Sequence, residues 1–490
     1  MVNVAGRSRG CATCRKRRVK CDQSLPECLR CLNMGLQCPG ARTDAFFVHT
    51  VIPNTSLRDS SAALITIKTK SPRSNVINLS PLPGPQPSRA AAFDQLFVSH
   101  FIDFFFGPVK PSSPMPGGTS RTWLHELPSF LASPYLSPVQ CSIRAASMLS
   151  YGTAVGDVSI KTEACRWYMR ALQGLRFLLS HEYSSSPEGA VCAAVMLIHF
   201  ETSAGTSPKA WQKHVKGAAS LLEAQGPERC RSGFMHQIFS HLRLQTFVAA
   251  MAENELHPFA SPEWTTTPFE IHHKLIFDKL VDILFAVQRC LSVANRLIAP
   301  QVGDARQLTT ELGILIQDAR FQIQQWRSEC MFYASQKGEQ GDQEKSVLTA
   351  EGDATTSLDT HDFMLPFTDV PTAALISLYD AANVIVLRLM HLVSPTAASY
   401  DARVRQHTQS ILSAHDIISA TSGSMAARGS TMMVQQLKIA ALWSSSSQQR
   451  AVAVSILEGY QKGGFAGISA PSSEYFADVA AHILLNYSVE

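Results

Sequence analysis

Residues 11–38 read CATCRKRRVKCDQSLPECLRCLNMGLQC, and this stretch determines what can fold near the start of the chain. Six of the 12 cysteines of the 490-residue chain lie within it. Their spacing, C-x2-C-x6-C-x6-C-x2-C-x6-C, is the unit C-x2-C-x6-C written twice. A gap of two residues lets both thiolates of a pair reach one ion, as in structural zinc sites. The spacing therefore predicts a small fold that is stabilised by metal.

The number of thiolates constrains the geometry of this metal site. Zinc takes four ligands, so two separate zinc sites would need eight, and the stretch offers six. Either one zinc binds and two cysteines are spare, or two thiolates bridge two zinc ions. The internal repeat favours bridging by the equivalent residues Cys11 and Cys28. We predict two zinc ions per chain, held by Cys11, Cys14, Cys21, Cys28, Cys31 and Cys38.

Three other uses of these cysteines fit the sequence less well. A disulfide framework suits an even count, but the N-terminal MVNVAGRSRG is followed by no apolar segment of a secretory signal, so we expect an intracellular protein. A redox C-x-x-C motif would leave Cys21 and Cys38 unexplained. A metal buffer would not need the long chain that follows.

Basic residues are concentrated beside the first three cysteines. Residues 1–42 carry nine Lys and Arg against two acids, a net charge of +7, and the remaining residues carry 34 basic and 37 acidic side chains, a net charge of −3. The first six-residue gap, RKRRVK, holds five cations, whereas the equivalent gap LNMGLQ holds none. A nuclear import signal would explain the charge but not the metal scaffold. Double-stranded DNA explains both, because Lys and Arg neutralise phosphates and Arg pairs with guanine in the major groove.

Residues 11–38 resemble the fungal binuclear zinc cluster of transcription regulators. The cysteine spacing, the basic gap CRKRRVKC, Asp22 after the third cysteine and Pro26 before the fourth all match. The resemblance implies that Cys11 and Cys28 bridge the metals and that Pro26 shapes the loop between the halves.

The resemblance also implies roles for the basic run. Arg18, aided by Arg17, would read a CGG triplet, and Arg15 and Lys20 would contact phosphate. These four residues are the predicted DNA-binding residues, within a zinc cluster domain at 7–42.

Composition divides the rest of the chain. Residues 43–91 are rich in Ser, Pro, Asn and Thr, which predicts a disordered linker, and no coiled-coil heptads are found there. From 92 to 490, repeated amphipathic segments predict one all-α body. Residues 334–362 carry seven acids and two lysines and are predicted to be a disordered surface insertion.

The body carries a second resemblance. The segment WQKHVKGAASLLEAQG, from Trp211 to Gly226, resembles the fungal-specific transcription factor domain that follows such clusters. Other predicted helices lie at 93–106, 161–181, 189–201, 209–224, 234–251, 269–298 and 373–393. The cysteines of the body are scattered and are predicted to be small buried residues: Cys141, Cys165, Cys192, Cys230, Cys290 and Cys330.

Sequence motifs of catalysis are missing from the body. No G-x-S-x-G, G-x-x-x-x-G-K-[ST] or H-E-x-x-H occurs, and the adjacent His272 and His273 would splay apart on a helix. No apolar run long enough for a membrane span was identified.

We therefore predict a nuclear, sequence-specific DNA-binding regulator of RNA polymerase II genes, not an enzyme and not a membrane protein. Its further partners could be a second copy, through the helical body, and a small-molecule effector. The alternative is a helical receptor or enzyme-like body that uses the zinc cluster as a targeting head.

Overall fold

A computed structural model shows a cysteine-centred N-terminal unit and a large helical body. It describes residues 11–22, 28–36, 38, 89–106, 122–132, 137–180, 186–207, 209–299, 304–338, 370–394, 400–421, 424–462 and 476–487. The chain divides into two compact units, Met1–Leu82 and Pro83–Glu490. Within the described ranges all regular elements are helical and no strand occurs. This confirms the predicted class, a small cysteine cluster and an all-α body.

The N-terminal unit contains two helices of about one turn, α1 (Ala12–Lys16) and α2 (Leu29–Leu32). Its interior consists mainly of sulfur: the buried cluster contains Cys11, Cys14, Cys28, Cys31 and Cys38, with Val19 and Cys21 packed against it. So few apolar side chains cannot offset the conformational entropy lost on folding, and units of this size usually need a metal or disulfides. The fold of this unit therefore depends on what the sulfurs bind.

The body is built from helices joined mostly by short connections. In chain order they are α3 (Arg89–Phe106), α4 (Leu127–Leu131), α5 (Pro138–Ala154), α6 (Val158–Ser180), α7 (Pro187–Ala204), α8 (Ala210–Glu223), α9 (Gly233–Glu253), α10 (Pro262–Thr266), α11 (Ile276–Ile298), α12 (Ala305–Gly338), α13 (Val370–Leu389), α14 (Asp401–Ala420), α15 (Ser424–Trp443), α16 (Ser447–Lys462) and α17 (Ala477–Tyr487). Helix α5 packs against α3, α6 and α7, while α13 packs against α11, α12, α14 and α15. One continuous apolar core runs through both groups.

Helix α8 contains the segment that carried the second resemblance. Trp211, Val215, Ala218 and Leu222 are buried and follow the spacing of one helical face. His214 of the same segment lies with Nε2 3.1 Å from the hydroxyl of Tyr168 on α6. The motif is thus mainly a packing pattern, which explains why its apolar spacing is its strongest feature.

Helix α13 is the central helix of the second group. It is part of Val370–Leu392, the one segment among the described residues that is long and apolar enough to cross a membrane, with a mean hydropathy of 1.6. However, 78% of that window is buried inside the protein. Its charged residues are paired there, Arg388 with Asp401 at 2.9 Å and Asp380 with His407 at 2.8 Å. The segment passes a composition test for a membrane span because it is a core helix.

Several predicted boundaries differ from the structure. Helix α3 begins at Arg89, before the predicted start of the body at residue 92. The helix predicted at 269–298 is interrupted, and α11 begins at Ile276 because Asp278 accepts a hydrogen bond from the backbone NH of Leu275 at 3.2 Å. Helix α12 continues to Gly338, which is inside the insertion predicted at 334–362.

Two of these predictions concern residues that the structure does not describe. The rest of the predicted insertion, 339–362, and most of the predicted linker, 43–88, lie outside the described residues. Two of the six cysteines of the body depart from the prediction that all are buried. Cys165 is exposed and Cys330 is half-buried, whereas Cys141, Cys192, Cys230 and Cys290 are buried as expected.

Two histidines lie in the core where α7 meets α9. The ring centroids of His199 and His241 are 5.3 Å apart, and Trp123 lies 5.7 Å from the first and 5.1 Å from the second. Burial lowers the pKa of His241 from 6.5 to about 4, and burial together with His241 lowers the pKa of His199. Both imidazoles are therefore held neutral.

We predict that acid destabilises the body through these histidines. Between pH 6.5 and about 4 the unfolded chain binds a proton at residue 241 that the folded chain does not bind. Stability should therefore fall as the pH falls through this window, and His241→Phe should reduce the dependence. Urea unfolding at pH 7 and pH 5 measures it, with the exposed His273→Phe as the control. An unchanged pH dependence in His241→Phe would contradict the prediction.

Candidate metal centre and nucleic-acid interface

The two halves of the cysteine unit have the same pattern of backbone hydrogen bonds. In the first half the backbone NH of Val19 donates to the carbonyl of Cys14 at 3.0 Å, and the backbone NH of Cys11 donates to Sγ of Cys21 at 3.4 Å. In the second half Leu36 donates to Cys31 at 3.0 Å, and Cys28 donates to Cys38 at 3.4 Å. The equivalent residues are 17 positions apart, as Cys11 and Cys28 are. The sequence repeat is therefore also a structural repeat.

The six sulfur atoms fall into two overlapping groups of four. One group is Cys11, Cys14, Cys21 and Cys28; the other is Cys11, Cys28, Cys31 and Cys38; the sulfurs of each group all lie within 4.8 Å of one another. Cys11 and Cys28 belong to both groups, and their sulfurs are 3.7 Å apart. Six donors arranged in this way can give each of two ions four ligands. In the described part of the chain, no other group of three or more His, Cys, Asp or Glu is placed to hold a metal.

The buried sulfur atoms of this cluster need a positive charge nearby if they are to be thiolates. Burial raises the pKa of the Cys14 thiol from 9.0 to about 12 and also raises the pKa of Cys28 and of Cys31. Thiolate is the metal-binding form, so a buried thiolate needs a positive charge beside it. Soft sulfur donors in groups of four suit Zn²⁺. The donor set and its burial therefore fit two zinc ions.

The basic run lies on the surface beside this sulfur cluster. Lys16, Arg17, Arg18 and Lys20 are exposed, while Val19 between them is half-buried against the cysteines. The backbone of Arg15 belongs to α1, and its side chain lies outside the described part. Val19 thus anchors the turn, and the cations around it face solvent.

Arg18 has an unusual backbone conformation. Its φ is +55°, in the left-handed region, at the turn that ends α1. The equivalent residue of the second half is Gly35, with φ +61°. Glycine is the usual residue at such a turn, and a side chain there costs about 1 kcal/mol. The first half therefore accepts strain in order to hold an arginine at the tip of its turn.

Two side chains tie the halves together near this turn. The carboxylate of Asp22 accepts hydrogen bonds from the backbone NH of Leu29 at 3.0 Å and of Arg30 at 3.3 Å, so it caps α2. Arg30 donates from Nη1 to the carbonyl of Lys20 at 3.3 Å. The cysteine motif includes Asp22 without indicating its capping role, and no sequence signal indicates the contact made by Arg30. Pro26, which the resemblance places in the loop, lies outside the described residues.

The histidine pair considered in the sequence does not form a site. His272 and His273 are exposed, and the ring of His272 lies 4.8 Å from that of His236 on α9. Neither belongs to a group of potential metal ligands.

Comparison with protein families matches both parts of the chain. Residues 9–44 match the fungal Zn(2)-Cys(6) binuclear cluster domain, and residues 95–470 match the fungal specific transcription factor domain. The first match contains all six clustered cysteines and the basic run. The second covers more than half of the chain.

Comparison with individual proteins gives shorter matches. The chain is 30% identical over 130 residues to an uncharacterized protein, AN5342, of Emericella nidulans, which is 26% of this chain and 28% of that relative. It is 59% identical over 39 residues to the aspercryptin biosynthesis cluster-specific transcription regulator atnN of the same fungus, which is 8% of this chain and 6% of that relative. The chain thus covers less than a third of the length of either relative. No solved structure matches it.

These findings agree with the geometry of the cysteine unit. A Zn(2)-Cys(6) binuclear cluster domain holds two zinc ions and binds DNA, and both matched families are families of transcription factors, not of enzymes. The chain belongs to the fungal specific transcription factor family and carries an N-terminal Zn(2)-Cys(6) binuclear cluster domain.

Proposed function

We propose that this chain is a nuclear, sequence-specific regulator of RNA polymerase II genes that reads CGG triplets in the major groove of DNA. The observation that carries the proposal is the exposed basic turn, with Arg18 in a left-handed conformation at its tip. An arginine at a position that favours glycine indicates that its side chain has a function. A guanidinium is well suited to bidentate hydrogen bonding with the O6 and N7 of guanine.

We assign different roles to the cations of the run. Arg18, with Arg17 beside it, contacts base edges, because these side chains project from the tip of the turn. Arg15 and Lys20 contact phosphates and position the unit on the duplex. The bond from Arg30 to the carbonyl of Lys20 supports this flank of the turn.

The proposed zinc ligands are the six clustered cysteines, with Cys11 and Cys28 bridging both ions. The two overlapping sulfur groups support this assignment. We further propose that residues 7–42 are a DNA-binding unit, that the chain from residue 43 to the start of α3 at Arg89 is a linker, and that the helices from Arg89 onward form a regulatory body. When bound, zinc supplies the positive charge that lets the buried sulfurs remain thiolates.

The bridging assignment predicts an unequal effect of two cysteine substitutions. We expect about two zinc ions per wild-type chain by elemental analysis of the full-length protein, and the same after Cys165→Ala, because Cys165 is exposed on α6 and distant in sequence from the cluster. Cys28→Ala should release both ions, because it removes a ligand from each. Retention of one full zinc ion by Cys28→Ala would show that Cys28 serves one metal only.

The base-reading role predicts that loss of Arg18 removes sequence preference. Arg18→Ala should cost roughly 1–3 kcal/mol on a CGG probe and flatten the preference among triplets. Lys20→Ala should weaken binding to all probes alike and reduce the salt slope by roughly one unit. Fluorescence anisotropy with the full-length chain at several salt concentrations measures both.

The variant Arg18→Gly distinguishes the role of the Arg18 side chain from the role of its left-handed backbone conformation. Glycine adopts positive φ without strain, so this variant should keep both zinc ions and a stable cysteine unit while losing triplet preference as Arg18→Ala does. If Arg18→Gly keeps the CGG preference of the wild-type chain, the residue shapes the turn and does not read the base.

A second candidate function, binding of a small-molecule effector inside the body, is favoured by the histidine pair. The Nε2 atoms of His199 and His241 are buried and have no hydrogen-bond partner among the described residues. The rings of Phe105 and Trp123 lie 4.7 Å and 5.7 Å from His199. An unpaired buried polar atom costs about 1–3 kcal/mol, so a ligand or a water that pairs with both nitrogens is stabilised.

Mass spectrometry can distinguish a bound ligand from an ordered water at this site. We expect the native full-length chain to release a small organic molecule on denaturation, and the double variant His199→Phe, His241→Phe to release none. Release of no molecule from the wild-type chain would leave an ordered water as the partner of the two nitrogens and remove the support for an effector site here.

One zinc cluster contacts roughly three base pairs, too few to select a site in a genome. Pairing with a second copy through the helical body is therefore part of the proposal, because two clusters double the sequence that is read.

A further inference from the structure

Four large apolar side chains are exposed on the second half of the cysteine unit, and we call them the apolar patch. Their exposed fractions are 57% for Leu29 and for Leu32, 59% for Met34 and 37% for Leu36. Leu29 and Leu32 are three residues apart on α2 and so share one face, and the other two lie in the turn that follows. Single exposed apolar residues are ordinary, but four within so short a stretch mark a surface that another apolar group covers.

The sequence repeat gives this patch a counterpart in the first half. The shift of 17 positions that relates the halves matches Leu32 to Arg15 and Met34 to Arg17. Because the halves have the same backbone hydrogen bonds, the second half has apolar side chains at positions where the first half has cations. A cation neutralises a phosphate, whereas an apolar side chain gains stability by leaving water. The apolar patch therefore suits an apolar polypeptide segment and not DNA.

The chain leaves the cysteine unit beside this patch. The backbone NH of Cys28 donates a hydrogen bond to Sγ of Cys38 at 3.4 Å, and Cys28 directly precedes Leu29 of the patch. Cys38 is followed in the sequence by Pro39 and Gly40, a dipeptide typical of turns. Residues 39–52 lie outside the described residues. Their sequence begins next to the patch with a signal for reversal of the chain.

An apolar segment follows this turn signal. Residues 45–52 read AFFVHTVI and contain no Asp, Glu, Lys or Arg, and Phe46 and Phe47 are the only phenylalanines between residues 39 and 88. Phe46 is eight residues beyond Cys38, and an extended chain of that length spans up to roughly 28 Å. Helix α2 is only four residues long, so the segment can reach every residue of the patch.

We propose that residues 45–52 dock on the apolar patch of the same chain, with Phe46 and Phe47 as the main contacts. The short connection makes this docking intramolecular and its loop-closure entropy small, whereas a separate protein would lose translational and rotational freedom on binding. Both the segment and the patch are free of acids, so their contact leaves no carboxylate without a partner.

The docking has a consequence for the size of the metal-held unit. The unit would extend to residue 52, beyond the residues 9–44 that match the binuclear cluster domain, and the linker would begin at Pro53. The segment would also add apolar burial to a unit whose interior is mainly sulfur. This inference goes beyond the proposed function, because it does not depend on which bases the basic run reads.

Photo-crosslinking of the full-length, zinc-loaded chain tests the docking. With p-benzoylphenylalanine at position 47, we expect cross-links within one chain to residues 29–36, identified by mass spectrometry after digestion. The matched control carries the same group at position 65, in the apolar run AALITI, and should give no such cross-link. Cross-links from position 47 to a second chain, to other parts of the chain or to nothing would overturn the proposal, as would equal cross-linking from position 65.

Substitution of the patch identifies the surface that receives the segment. Leu29→Gln combined with Leu32→Gln should abolish the cross-link from position 47, whereas Val158→Gln, which changes an exposed apolar residue of α6, should leave it unchanged. Elemental analysis should still find about two zinc ions in each variant, because none of these residues is a metal ligand. A cross-link that persists after both leucines are changed would overturn the proposal.

The rate of zinc release to a chelator gives a measurement that leaves the patch unchanged. Phe46→Ser combined with Phe47→Ser lies outside the cysteine motif and should speed release about fivefold or more, because the unit loses apolar burial. Leu64→Ser combined with Ile65→Ser is the matched control and should release zinc as the wild-type chain does. Equal rates in the two double variants would contradict the docking.

The outcome is separable from the base-reading role of Arg18. The Phe46→Ser, Phe47→Ser variant should keep the triplet preference of the wild-type chain, whereas Arg18→Ala should lose that preference and keep the cross-link from position 47. A failed docking and a failed base-reading role therefore give different results.

Discussion

The N-terminal unit depends on one physical constraint, the charge balance of buried sulfur. Five cysteines are enclosed and a sixth is half-buried, and burial alone would keep these thiols protonated. Two divalent ions reverse that preference, and their affinity for thiolate supplies the folding free energy that so small an apolar core cannot supply. The duplicated backbone hydrogen bonds then follow, because each half must present three sulfurs in the same geometry.

Function is added to this scaffold where the two halves differ. The backbone of the second half repeats that of the first, but Gly35 occupies the turn that Arg18 occupies in the first half. The same backbone turn accommodates either residue. Under the proposed function, the metal-held turn would limit the freedom of the Arg18 guanidinium and so reduce the entropy lost when it pairs with a base.

The body is held together by different forces. Apolar burial dominates, and several enclosed charges are paired, as Arg243 is with Asp278 and Asp282 between α9 and α11. Removal of one partner of such a pair would leave an uncompensated buried charge, which is strongly destabilising. The paired residues also connect neighbouring helices directly, as Arg243 of α9 connects to Asp282 of α11.

The sequence by itself determined the cysteine cluster, the basic run beside it and the helical class of the body, because metal-ligand spacing, charge runs and helical periodicity are local properties. It did not determine the left-handed backbone of Arg18, the capping role of Asp22 or the start of α11 at Ile276, because side-chain spacing does not specify backbone dihedral angles or which carboxylate accepts a given backbone NH. The exposure of Cys165 was also undecided. Composition shows which side chains are apolar, but only the packing of α6 and α12 on their neighbours decides which face is left in solvent.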